Sequence, residues 1–136
     1  MDVLIHFGFT IDEIQNMVGT NEDILQVDDT ELNELIAILK EINCSLEVIK
    51  NILLCNPFYL TRQSQSVKKL ILRLKNLGFS SLDILFDSNP YLLNMSINDL
   101  EKIYNKKLEE GFTKKEIVDL IQYNMFVGGD INECSN

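Results

Sequence analysis

One histidine, three cysteines and four cations set as two like-spaced pairs are the side chains of this 136-residue chain whose types and spacing bear on chemistry. His6 stands beside the apolar corner "LIHFGF", where a packing or surface role outweighs that of a base or ligand. Cys44 fills a position that its counterparts give to phenylalanine, which marks a small buried hydrophobe rather than a nucleophile. Cys55 precedes "NPF" and has no base near it in sequence. With Cys134 the set is odd and lacks CxxC spacing, so neither a disulfide framework nor a zinc site is expected, and reduced thiols are. The carboxylate pairs Asp28/Asp29 and Glu109/Glu110 fall at helix ends or on polar faces, where capping and solvation account for them. No glycine-rich phosphate loop and no nucleophile elbow is present. Tyr59 and Tyr91 each follow a turn and could stack a base, but burial beneath the turn is the simpler reading. The expectation is a chain that is not an enzyme and has no catalytic residues, metal ligands or cofactor.

The cations are more suggestive. Lys69 and Lys102 are 33 residues apart, and so are Arg73 and Lys106. Within each pair of neighbours the spacing is i, i+4, which puts both charges on one face of a helix. If the two helices stack, four cations align, enough for a modest, salt-sensitive grip on phosphates. One unit earlier the same positions are Glu34 and Ile38, so the stripe stops there. The competing reading is a solvated face of two helices.

Bulk composition sets the limits. A hydrophobic fraction of 46% and a mean hydropathy of +0.01 describe a globular chain, long enough for one domain with a real core. No apolar run reaches the roughly 18 residues that cross a bilayer, so no membrane association is expected. The opening "MDVLIHFGFTIDE" lacks a basic leader, so an intracellular setting, cytoplasmic or organellar, is expected. The net charge of −9 argues against a generic nucleic-acid binder, but the charge is unevenly spread. Residues 1–38 hold nine acidic and no basic side chains, whereas residues 39–82 carry a net +5.

What positions these residues is a repeat. Gly8, Asn43, Gly78 and Gly111 are spaced by 35, 35 and 33, typical of a solenoid. Each is followed by an N′ residue (Phe9, Cys44, Phe79, Phe112) and then a hydroxyl (Thr10, Ser45, Ser80, Thr113). Glycine or asparagine suits a left-handed helix end, and Thr or Ser suits the next N-cap. Glu13, Asp83 and Glu116 complete capping boxes, while Val48 leaves the second corner without one. Ile14, Ile49, Ile84 and Ile117 are the N4 partners of the N′ column, forming hydrophobic staples.

An asparagine column (Asn21, Asn56, Asn89, Asn124) then opens a short element as its N-cap, with Pro57 and Pro90 at the first helical position. A longer helix follows in each unit. Its apolar stripes are Leu32/Leu35/Ile36/Leu39/Ile42, Val67/Leu70/Ile71/Leu74/Leu77 and Ile97/Leu100/Ile103/Tyr104/Leu108. Ser96 with Asp99 forms a further capping box. The fold class is therefore all-α: a short α-solenoid of 33–35-residue repeats, each a helix, a one-turn helix and a longer helix. Residues 1–127 form one repeat domain and residues 128–136 a frayed tail. The chain starts and stops within a unit, so uncapped ends would favour self-association or a longer array.

The stretch "LGFSSLDILFDSNPYLLNMSINDLEKIYNKKLEEGFTKKEI" resembles the mitochondrial transcription termination factor (mTERF) family, over about residues 4–127. The resemblance rests on the Gly78-Phe79-Ser80 corner, on Pro90, Leu92 and Leu93, and on Pro57 and Leu60 one unit earlier. It implies a superhelix of triple-helical repeats without catalytic chemistry. It also implies binding of nucleic acid, duplex DNA or RNA, along a positively charged path, and a role in organelle transcription or gene expression. Lys69, Arg73, Lys102 and Lys106 are the matching candidates. The chain departs from the family in being short and acidic and in lacking the proline in units one and four. Its alternative function is a protein–protein adaptor whose acidic residues 1–38 dock a basic partner.

Overall fold

The computed structural model describes residues 2–123, and the expected tail and Asn124 lie outside them. All regular structure among the described residues is helical, as expected. Helix α1 (Asp2–Phe7) leads into three units. The first is α2 (Ile11–Thr20), a 3-10 segment (Glu22–Gln26) and α3 (Asp29–Glu41). The second is α4 (Leu46–Cys55), Pro57–Thr61 and α5 (Ser64–Asn76); the third is α6 (Leu82–Ser88), Pro90–Asn94 and α7 (Ile97–Glu109). Helix α8 (Lys114–Gln122) opens a fourth.

The corners work as their residues dictate. Gly8, Asn43, Gly78 and Gly111 all have positive φ, from +71° at Asn43 to +120° at Gly8. At each, the amide of the following residue bonds the carbonyl five back, as Phe9 does to Leu4 and Cys44 to Leu39, both at 3.1 Å. This bond pattern closes a helix C-terminus and frees the chain to turn. Thr10 and Thr113 cap the next helices in full capping boxes, with Glu13 and Glu116 reaching back. Ser45 and Ser96 supply their hydroxyl halves.

Equivalent elements then pack on one another in three rows. Helices α1, α3, α5 and α7 form one, α2, α4 and α6 a second, and the 3-10 segments a third. The core lies between the rows and is continuous from Leu4 to Ile121. The chain is an all-α stack of repeats, each covering its neighbour's apolar face.

The third corner departs from expectation. Ser80 does not cap; α6 starts one residue late, from Ser81, which makes no capping bond, so the Ser80/Asp83 box is absent. Ile84 is 55% exposed rather than a buried staple. The reason is a register counted from the other end. From N-cap to asparagine the chain spans Thr10–Asn21 and Ser45–Asn56, but Ser80 is two residues closer to Asn89. Buried positions keep their distance from the asparagine: Ile14 and Met17, then Ile49 and Ile52, then Leu82 and Leu85. The missing pair is absorbed at the corner, and α6 has 7 residues where α2 and α4 have 10.

The asparagines sit at the expected N-cap positions but their side chains do not cap. Those of Asn21 and Asn56 point into the next unit instead. Asn21 Nδ2 donates to Pro57 O at 3.3 Å and to Thr61 Oγ1 at 3.0 Å. Asn56 Nδ2 donates to Pro90 O at 3.0 Å and to Asn94 Oδ1 at 3.1 Å, and accepts from Asn94 Nδ2 at 2.8 Å. A buried amide needs partners, and for these two the neighbouring repeat supplies them. The α7 stripe is also thinner than expected: Leu100 and Tyr104 are buried, Ile97 and Ile103 partly so, and Leu108 is exposed.

Candidate nucleic-acid interface

Helices α5 and α7 pack as neighbours in one row, and their inward stripes fix which side chains face out. With Val67, Leu70, Ile71 and Leu74 turned inward, Lys68, Lys69 and Lys75 are left exposed. With Leu100 and Tyr104 inward on α7, Lys102 and Lys106 are exposed as well. None of these five ammonium groups has a partner among the described residues.

Arg73 differs from the other three candidates. Its Nε bonds Glu101 Oε1, and its Nη2 lies 3.1 Å from Glu101 Oε2, a two-pronged pair across α5 and α7. Hydrogen bonding to the guanidinium holds the Glu101 carboxyl below its ordinary value, and the same bond raises Arg73. The charge at this position is compensated within the protein. Lys69, Lys102 and Lys106 keep theirs open to a ligand.

The stripe also ends where its repeat positions stop being basic. Glu34 accepts from Ser64 Oγ at 2.9 Å, and Ile38 is buried in the core. Other cations are engaged in holding units together. Lys50 pairs with Glu13 at 3.0 Å, donates to Gly8 O at 3.3 Å and lies over the Phe9 ring. Arg62 bonds the carbonyls of Leu93 and Met95 in the next unit. Lys107 pairs with Glu110 at 3.1 Å and covers Phe112.

The groups that could do covalent chemistry are placed for packing. Cys44 is a free, buried thiol, pushed up to about 11 mainly by burial and then by Asp83 and Asp87, so it stays protonated at neutral pH. Cys55 is disulfide-bonded, which corrects the expectation of reduced thiols throughout. Tyr59 is buried, its phenol raised by desolvation and donating to Leu35 O at 2.6 Å, so it is no stacking platform. His6 is exposed in the last turn of α1. No cluster of His, Cys, Asp or Glu among the described residues could hold a metal. No described helix is long and apolar enough to cross a membrane.

Sequence reasoning placed the four cations on the right helices but missed the Glu101 partner. It also missed the asparagine bonds between units. Glu101 is 28 residues from Arg73 and carries no local mark, whereas the asparagine column was visible and only its direction was not. The family model for mTERF matches residues 3–128 of this chain. No curated protein and no solved structure matches it.

Proposed function

The chain belongs to the mTERF family, and from that membership we propose that it is a non-catalytic helical-repeat module that binds nucleic acid in organelle gene expression. One observation supports the reading at residue level: Lys69, Lys102 and Lys106 stand exposed, without a partner among the described residues, on neighbouring helices one repeat apart. Phosphates are drawn to such ammonium groups, and each contact releases counterions. The acidic first unit repels the same phosphates, which turns the contact away from that end of the array. Base preference has no candidate reader on this face.

The test is a titration of labelled duplex and single-stranded DNA and RNA at 50 and 200 mM salt. Three phosphate contacts on this face contribute about −3 to the log–log salt slope. Lys69→Gln/Lys102→Gln/Lys106→Gln should flatten that slope and remove most of the affinity. Arg73→Ala should cost less affinity than Lys69→Ala, because Glu101 already holds its charge. A folded protein that binds none of the four probes at 50 mM salt ends this reading.

A further inference from the structure

The repeat breaks at one place, and a groove opens there. Because α6 begins late and is short, α8 does not close against it as α2 closes on α4 and α4 on α6. The opening has a volume of about 570 Å³ and runs between the third corner and α8. Ser80 and Ser81 line one wall; Lys114, Lys115 and Asp119 line the other. Both lysines are exposed and neither has a partner among the described residues. Neither serine hydroxyl has a partner among the described residues, since Ser81 makes no capping bond and Ser80 no longer occupies the cap. At the other three corners the equivalent hydroxyl is spent on a helix amide. A local rule abandoned at a single repeat, with unspent donors and charge left in the gap, is where a binding site is to be sought.

We infer that this groove is a second phosphate contact, which takes a phosphodiester of a nucleic-acid strand with the Lys114 and Lys115 ammonium groups as countercharge and the Ser80 and Ser81 hydroxyls as donors. The inference rests on the nucleic-acid reading above and extends it beyond α5 and α7. Asp119 selects the form of the anion. Its carboxylate on the same wall opposes a doubly charged free phosphate more than the single charge of a phosphodiester. Leu77, which also lines the groove, follows directly on the last turn of α5, where Lys75 stands exposed.

The experiment uses the full chain, with anisotropy titrations of labelled DNA and amide chemical-shift mapping against a thymidine dinucleotide and against inorganic phosphate at matched ionic strength. Lys114→Gln/Lys115→Gln should weaken DNA binding about tenfold and reduce the salt slope by about 2. Ser80→Ala/Ser81→Ala, which changes no charge, should weaken binding by a smaller factor and leave the slope alone. The dinucleotide should shift the Ser80, Ser81 and Val118 amides, and inorganic phosphate should shift them less. The inference is overturned if the lysine pair binds as the parent does with an unchanged slope, or if inorganic phosphate moves those amides as far as the dinucleotide. Should the α5/α7 triple variant lose binding while the groove variant keeps it, the groove alone is refuted. Absence of any binding by the parent chain refutes both.

Discussion

A side-chain amide in an apolar interior is stabilising only when its donors and acceptor are met, and the asparagine column shows both outcomes. Asn56 is fully buried and meets a carbonyl and a second amide in the following unit. Asn89 is equally buried and has no partner for either Oδ1 or Nδ2 among the described residues. Removing the first strands Pro90 O and Asn94; removing the second strands no described residue. Asn56→Ala should therefore cost about 3 kcal/mol, and Asn89→Ala less than about 1 kcal/mol. Urea denaturation of the two variants measures the difference, and equal losses would show that the bonds to the next repeat contribute little. How much of this was legible depends on what each residue had to announce. The spacing of Asn21, Asn56 and Asn89 was plain, but an amide that caps its own turn and one that reaches the neighbouring unit have identical sequences. Arg73 poses the same difficulty, since i, i+4 spacing puts it beside Lys69 and says nothing of a carboxylate 28 residues on.

At the scale of elements, the corners were the most legible part because their physics is local. A positive φ calls for glycine or asparagine, and an open helix N-terminus calls for a hydroxyl, so four corners could be read from three residues each. The third misled because two constraints compete there. Cap chemistry places the helix start at Ser80, while core packing places Leu82 and Leu85 at a fixed distance from Asn89. Burying two leucines and Phe86 is worth several kcal/mol, against about 1 kcal/mol for a cap, so packing sets the register. Substitution tests this ranking directly. Thr113→Ala should lower stability by about 1 kcal/mol, whereas Ser80→Ala should change it by no more than a few tenths. Equal losses in thermal or urea unfolding would mean that Ser80 caps α6 after all. The small effect at Ser80 also keeps the serine variants folded for the groove experiment.

In the whole molecule, stability is shared between neighbours rather than held in one centre. Each unit's apolar face is covered by the next, so a unit inside the array has two interfaces and a unit at its edge has fewer. The bonds that cross units follow the same geometry. The second unit is tied back through Lys50 to Glu13 and Gly8, and through Tyr59 to Leu35. It is tied forward through Asn56 and Arg62 to the third. Helix α1, by contrast, is six residues long and contributes Leu4 as its one buried side chain. At the other side, the α7 stripe is partly open and α8 stands off from α6. Local opening should therefore be graded along the chain rather than uniform. In native-state hydrogen exchange the amides of α4 and α5 should be the slowest, with protection falling through α3 and α7 toward α1 and α8. Arg62→Ala should raise exchange at the end of the third 3-10 segment, where its carbonyl partners Leu93 and Met95 lie in and just after it, before it raises exchange in α2. If instead all helices from α2 to α7 exchange at one rate set by global unfolding, the units are fused into a single cooperative core, and the nearest-neighbour account of this array fails.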